Sequence, residues 1–288
     1  MNVYFACSPS RQHLENLKEC DVQNILVSYA FIKDASRLKE LLGEYRPKNF
    51  ILDSGAFSVW SKGDTVDIEA YARFAKNFQA LNPSNNLYVV NLDVLPGKFG
   101  QRPSQTQVEE SARAGWDNML LLESKGLKVI PVFHQHEDWA WLEKMRAHTD
   151  YIGISPANDV SMEEKLEWLN KVFFRIRNTI KTHGFAVTSH HQRYNFPFFS
   201  VDSSSWTTPA RFGRIPIFKD NLSMSTVDYK NKDDIVKYWE YLRHIGIEKI
   251  GADSWKDRTK LAIKSYQRLE FVATRLWRSR GITYEERS

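Results

Sequence analysis

The segment Phe50–Trp60 reads FILDSGAFSVW, and it contains the signal from which the fold is predicted. A short apolar run from Phe50 to Leu52 ends on the carboxylate of Asp53, and small residues then turn the chain. A brief apolar run without polar alternation is typical of a strand buried on both faces, as in a parallel sheet. We therefore predict a buried strand at 49–53 that carries an acid at its carboxyl end.

Similar runs recur along the 288 residues and alternate with amphipathic segments. The predicted strands are 2–7, 24–30, 49–53, 87–94, 128–134, 151–155, 183–188 and 198–202. The predicted helices are 34–44, 66–80, 105–116, 137–147 and 161–181. This alternation indicates βαβ units, and eight such strands predict an α/β fold of the (β/α)₈ TIM-barrel type. A further apolar run at 247–252 is either a ninth strand or a replacement for the first.

Composition places limits on the kind of protein. Hydrophobic residues make up 42% and charged residues 26% of the chain, which is typical of a globular protein, and we expect one domain over 1–288. The apolar runs are too short to cross a membrane, and the N-terminus lacks the features of a secretion signal. Cys7 and Cys20 do not form a disulfide framework, so we expect a cytoplasmic location.

The charge distribution is compatible with a polyanionic partner. The formal net charge is +5 and the pI is about 9.0. A basic helical segment is predicted at about 256–280, where Lys256, Lys260, Lys264 and Arg268 recur every four residues on one face. This stripe is either a solvated helix face or a track for a phosphate backbone, and we favour the phosphate track.

Polar residues stand at the carboxyl ends of six predicted strands. They are Asp53, Asp93, the run 134–136, the run 153–155, the run 189–191 and Asp202. In a parallel barrel these ends share one face, which holds the active site. Each residue alone is equally well explained as a cap or turn former, but six together favour function. Two carboxylates facing one pocket suit glycosyl transfer.

Five motifs, in order along the chain, resemble those of the tRNA-guanine transglycosylases. LDSGAF (52–57) resembles the LDSGGF segment of that family. The other four are NLDV (91–94), VFHQ (132–135), YIGIS (151–155) and SVDSSSW (200–206). The resemblance covers about residues 45–215, which is most of the predicted barrel.

The resemblance implies a base exchange through a covalent glycosyl-enzyme. Asp202 would attack C1′ of a guanosine, and Asp53 would act as the general acid and base. A 7-deazaguanine such as preQ0 would then replace the guanine. The residues that would line the base pocket are Asp93, Gln135, Gly153, Ile154, Ser155, Ser54 and Phe57.

The chain departs from the tRNA enzymes in one respect that concerns a cofactor. Those enzymes carry a zinc site of three cysteines and one histidine, whereas this chain has no cysteine after Cys20, so we expect no zinc cofactor. Short zinc-free versions resemble the phage-type DNA 7-deazaguanine transglycosylases, and we therefore expect DNA, rather than tRNA, as the partner. Arg193, Arg211 and Arg214 would join the basic helix in contacting it.

Two other functions remain open at this stage. A barrel hydrolase would bind one metal ion through His134, His136, His190 and Asp202, because alternate residues of a strand point the same way. A non-catalytic nucleic-acid-binding barrel would need only the basic surface and none of the acids.

Overall fold

The computed structural model describes residues 1–82, 86–98, 101–187, 189–207, 212–219, 221–228, 230–244 and 254–283. Its main sheet has nine parallel strands in the order β5-β4-β3-β2-β1-β9-β8-β7-β6. These strands are β1 Asn2–Cys7, β2 Asn24–Ser28, β3 Asn49–Asp53, β4 Asn86–Val90, β5 Val129–Ile130, β6 Val132–His134, β7 Tyr151–Ser155, β8 Lys181–Gly184 and β9 Ser200–Ser203.

A single proline explains why nine strands form an eight-membered barrel. Pro131 alone separates β5 from β6, and it has no N–H to donate to a strand ladder. β5 pairs with β4 and β6 pairs with β7, so the two short strands together connect the two ends of the sheet. The predicted (β/α)₈ TIM-type barrel is confirmed.

Helices surround the barrel, and most follow a strand. They are α1 Arg11–Glu19, α2 Ala35–Leu42, α3 Ala56–Trp60, α4 Ile68–Leu81, α5 Gln105–Ser124, α6 Trp139–His148, α7 Met162–Ile176, α8 His190–Asn195, α9 Lys232–His244 and α10 Trp255–Ser279. The basic C-terminal helical segment is confirmed as α10. An antiparallel hairpin, β10 Arg214–Phe218 with β11 Met224–Asp228, was not predicted. No helix within the described ranges is both long enough and apolar enough to span a bilayer.

The core has two layers because strand side chains alternate between the two faces of the barrel wall. In β3, Phe50 and Leu52 pack outward against the helices, whereas Ile51 belongs to the cluster inside the barrel. Alternation therefore places Asp53 on the same inner face as Ile51. The inner cluster consists of Tyr4, Leu26, Ile51, Val90, Ile130, Val132 and Tyr151.

Strand β8 lies earlier in the chain than the apolar pattern predicts. We predict a strand at 183–188, but the structure has β8 at Lys181–Gly184. The apolar residues after Gly184 instead form a turn in which Ala186 has a φ of 54°. Thr182 and His183 are fully buried although they are polar, so hydrophobicity does not mark this strand. The apolar run at 247–252 lies outside the described residues.

Candidate active site

The turn after β3 presents the carboxylate of Asp53 at the carboxyl-terminal end of the barrel. Its Oδ2 accepts a hydrogen bond from the N–H of Gly55 at 3.1 Å. Gly55 has a φ of 74°, and a Cβ at this position would lie 2.5 Å from the Cβ of Ala30 and 2.7 Å from Oγ of Ser28. Only glycine fits both the backbone conformation and the space. The sharp turn in the LDSGAF motif therefore serves to hold Asp53.

We call the carboxyl-terminal end of the barrel the mouth. Three acids lie there, Asp53, Asp93 and Asp202, and we call them the mouth carboxylates. Burial, with a smaller contribution from the charges of Asp202 and Asp93, raises the pKa of Asp53 to about 6 against the opposing hydrogen bonds from Ser28 and Gly55. All three side chains are half-buried. The structure therefore brings together residues separated by almost 150 positions, because parallel strands end on one face.

An imidazolium lies among these acids. His134, at the end of β6, has Nε2 3.3 Å from Oδ2 of Asp93 and Nδ1 2.9 Å from Oε1 of Glu137. Burial alone would lower the pKa of His134, but the two carboxylates outweigh this effect and raise it to about 10. His134 is therefore a permanent cation at neutral pH, and it orients Asp93.

Asp202 has a different neighbour, one that the sequence prediction missed. Nε2 of His183 lies 3.5 Å from Oδ1 of Asp202, and His183 is fully buried. The apolar pattern placed the strand end beyond this residue and directed attention to His190 and His191 instead. The only signal of His183 in the sequence is a polar residue within a strand of a parallel sheet.

The remaining predicted pocket residues lie in varied settings. Oε1 of Gln135 accepts from the N–H of Ala157 at 3.0 Å, so its side chain holds the loop after β7. Ser54 is buried beside the turn, and Phe57 is 48% exposed at the rim. The strand residues Gly153, Ile154 and Ser155 have backbone groups bonded to neighbouring strands, with Gly153 N–H donating to Pro131 O and the carbonyls of Ile154 and Ser155 accepting.

The histidines proposed as metal ligands are not assembled for that role. Within the described ranges, no three His, Cys, Asp or Glu side chains are arranged to hold a metal ion. His134 is held by carboxylates, and His136 is exposed with a φ of 90°. The ring of His190 lies 3.8 Å from that of His191 rather than against Asp202. The metal-hydrolase alternative therefore lacks its predicted ligand set.

The residues predicted to contact DNA are mostly engaged within the chain. Arg193 is buried in α8, where it donates to the carbonyls of Val187 and Leu222. Its proposed contact with a phosphate is wrong, because burial removes its guanidinium from the surface. Arg214 is exposed at the start of β10, and Arg211 lies outside the described residues.

The basic stripe of α10 packs against α1 and the residue that follows it. Lys256 and Lys260 both pair with Glu19, and Lys264 donates to the carbonyl of Cys20. Arg268 lies over the ring of Phe271 at 5.2 Å. Three of the four stripe residues therefore contact α1 or Cys20 within the chain, and the interpretation of the stripe as a phosphate track stays a prediction.

Comparison with known proteins gives matches to solved structures alone. No known family profile and no curated protein sequence matches the chain. An L-ribulose 3-epimerase is similar with a TM-score of 0.48 and 12% identity over 99% of both chains. The N-acetylneuraminate lyase of Mycoplasma synoviae has a TM-score of 0.46 and 10% identity, covering 99% of this chain and 90% of its own. The dihydrodipicolinate synthase of Bacillus clausii has a TM-score of 0.45 and 9% identity over 98% of both.

These comparisons correct the family expectation. The similar structures named above are a lyase, a synthase and an epimerase, and none of the three is a guanine transglycosylase. The identification with the tRNA-guanine transglycosylases and their zinc-free DNA branch is therefore wrong. The base exchange, the pentosyltransferase class and the DNA, tRNA and 7-deazaguanine partners are wrong with it. At this low identity the likeness concerns the barrel alone and assigns no reaction.

Proposed function

We propose that this chain is an acid–base enzyme that moves protons on a small neutral or cationic molecule rich in hydrogen-bond donors. The observation that carries this proposal is the carboxyl group of Asp53, which is held by a glycine turn among the mouth carboxylates with its pKa raised to about 6. A group that titrates near neutral pH can both donate and accept a proton during turnover. Perturbed carboxyl groups of this kind in a barrel mouth are typical of catalytic sites.

The charges of the mouth define the class of ligand. Asp53, Asp93 and Asp202 present acceptor oxygens, and His134 supplies one cation between Asp93 and Glu137. An ionised carboxylate accepts hydrogen bonds and donates none, so it binds hydroxyl or amino groups. An anionic ligand would be repelled. We assign proton transfer to Asp53 and ligand binding to Asp93 and Asp202.

The residues at the mouth also favour proton transfer over covalent amine chemistry. The carboxyl-terminal residues of the nine barrel strands include no lysine. An imine route therefore has no amine at these positions. The exposed ring of Phe57 at the rim offers an apolar surface for the carbon skeleton of the ligand. A cytoplasmic location accompanies the proposal, supported by the free, buried thiols of Cys7 and Cys20.

The test is solvent hydrogen exchange. The protein is incubated in heavy water with a panel of neutral sugars, amino sugars and amino acids, and with their phosphorylated forms, and NMR detects deuterium entering a C–H position. We expect exchange in a neutral or cationic member and little in its phosphorylated counterpart. Asp53→Asn should lower the rate by about 10²–10⁴-fold, the usual contribution of a positioned acid or base.

The pH profile and a control complete the test. If Asp53 acts as the base, the rate falls as pH drops through about 6, because the carboxyl group is then protonated. Asp117→Asn, on an exposed turn of α5, should leave the rate unchanged. An exchange that survives Asp53→Asn, or a clear preference for the phosphorylated compounds, would contradict the proposal.

A further inference from the structure

Strand pairing places three polar side chains side by side inside the barrel. His183 in β8 is level with Ser200 in β9, and Asp202 lies two residues after Ser200 on the same strand. Because side chains two apart on a strand share a face, Ser200 and Asp202 both point inward. The ring of His183 contacts the rings of Tyr4 and Phe185, at centroid distances of 5.7 and 4.5 Å, which places it inside as well.

These side chains form a line that begins deep in the barrel and ends at the mouth. Tyr151 Oη is 2.6 Å from Ser200 Oγ, and Ser200 Oγ is 2.7 Å from His183 Nδ1. His183 Nε2 then faces Asp202 Oδ1 at 3.5 Å. Tyr151, Ser200 and His183 are almost completely buried, whereas the side chain of Asp202 is 22% exposed. The line therefore connects the closed interior with a mouth carboxylate.

The last contact of the line is incomplete. Nε2 of His183 and Oδ1 of Asp202 are both buried, and neither has a hydrogen-bond partner among the residues that the structure describes. The separation of 3.5 Å is longer than a normal N–H to oxygen hydrogen bond. A histidine that merely fills a core has its polar atoms satisfied. Here the ring instead directs an unused nitrogen at an unused carboxylate oxygen.

The chemistry of the four groups decides which atom donates and which accepts in each contact of the line. An ionised Asp202 can only accept, so the proton of a neutral His183 ring lies on Nε2 and Nδ1 must accept from the Ser200 hydroxyl. Ser200 Oγ in turn accepts from Tyr151. Burial raises the pKa of Tyr151 well above its usual value, so Tyr151 remains a donor at neutral pH. Each donor in the line then has one acceptor.

We propose that His183 is a positioning residue for Asp202, and that Tyr151 and Ser200 set its tautomer from inside the barrel. The Nε2–H group fixes the orientation of the Asp202 carboxylate, and the contact shortens to a hydrogen bond when a ligand excludes water from the mouth. Hydrogen bonds in unliganded active sites are often long in this way. This inference rests on the proposed function in so far as Asp202 binds the ligand.

The first experiment needs no substrate. NMR of the full chain with isotope-labelled histidine reports which ring nitrogen of His183 carries the proton. The signal is assigned from its loss in His183→Gln or, if that variant does not fold, from its shift in Ser200→Ala. We expect a protonated Nε2 and a bare Nδ1 at neutral pH. A protonated Nδ1 would overturn the inference, whether or not the proposed function holds.

The second experiment uses the solvent exchange reaction. Ser200→Ala removes the hydroxyl that supports the ring, and Ser265→Ala, a fully buried serine in α10, is the matched control for loss of a core hydroxyl. We expect kcat/KM to fall about tenfold in Ser200→Ala, mainly through a rise in KM, because the carboxylate that loses its support is assigned to ligand binding. A loss no larger than that in Ser265→Ala would refute the positioning role. Absence of exchange in the wild type would instead count against the proposed function, while the tautomer still decides the role of His183.

Discussion

The two ends of the barrel handle buried polar groups in opposite ways. At the amino-terminal end, Glu270 of α10 accepts from the N–H of Val3 at 2.7 Å and from Nδ2 of Asn24 at 3.2 Å. Asn49 then donates to Asn24 at 2.5 Å, and Asn86 donates to Asn49 at 3.0 Å. A single carboxylate is thus surrounded by donors, and a ladder of amides extends across three neighbouring strands.

The mouth has the reverse composition. It contains several carboxylates and few donors. Burial and, to a smaller extent, the charges of Asp202 and Asp93 raise the pKa of Asp53, and two carboxylates flank His134. Like charges at short range destabilise the folded state. In a TIM barrel the amino-terminal end serves stability and the carboxyl-terminal end serves chemistry. The difference indicates that the carboxylates of the mouth destabilise the folded state electrostatically, whereas the polar groups of the amino-terminal end, which we call the closed end, do not.

The largest expected effect on stability lies at the closed end. Glu270→Ala leaves the donors of Val3 and Asn24 without their acceptor and should lower the free energy of unfolding by about 2–4 kcal/mol. Glu270→Gln retains an acceptor oxygen and should cost much less. Burial raises the pKa of Glu270, so the hydrogen bonds, rather than the negative charge, are expected to stabilise this end. Urea unfolding of both variants measures this. Equal losses would show that the charge, rather than the hydrogen bonds, stabilises this end.

A smaller loss is expected from removing the cation of the mouth. His134→Gln should cost about 1–3 kcal/mol at pH 7, because Asp93 and Glu137 lose the charge between them. The pKa of His134 is raised to about 10, so this stabilisation is fully present below the unfolded value of about 6.5 and disappears as pH rises through 10. Urea unfolding at neutral pH and above pH 10 measures the difference. A loss that is the same at both pH values would rule out the charge as its cause.

The smallest expected effect is an increase in the free energy of unfolding, and it distinguishes the mouth from the closed end most clearly. An Asp pKa raised from 3.8 to about 6 means that the folded state holds a proton which the unfolded chain has released, so stability falls as pH rises from 4 to 6. Asp53→Asn should therefore stabilise the protein by about 1–2 kcal/mol above pH 7, reduced from the full linkage value because the group is partly exposed. The gain should vanish near pH 4. Asp117→Asn is the control, and a loss of stability in Asp53→Asn would show that its hydrogen bonds outweigh the cost of burying its charge.

Much of the barrel is predictable because its strands are apolar and local. In β3 the apolar run Phe50–Leu52 marks the strand and Asp53 marks its carboxyl end, and the glycine turn follows directly. β8 has no such signal, since Thr182 and His183 are polar and are buried only through their neighbours. The prediction therefore placed this strand too late in the chain, and it missed the role of the histidine that faces Asp202.

The basic stripe of α10 also shows what a local sequence pattern does not predict. Its four-residue spacing predicts one helix face correctly, but periodicity does not reveal whether that face meets solvent, DNA or Glu19. The family resemblance failed for a related reason, because short strand-end motifs with Asp, Ser and Gly follow from barrel geometry itself and are not specific to one reaction.

The amino-acid sequence by itself determined the barrel and the acids at its strand ends, because strand burial and turn chemistry depend on residues close together in the chain. Only the tertiary structure decided that burial raises the pKa of Asp53, that His183 faces Asp202, and that the lysines of α10 contact Glu19 and Cys20. These contacts join residues far apart in the chain, and their energies depend on distance and burial, which local sequence patterns do not contain.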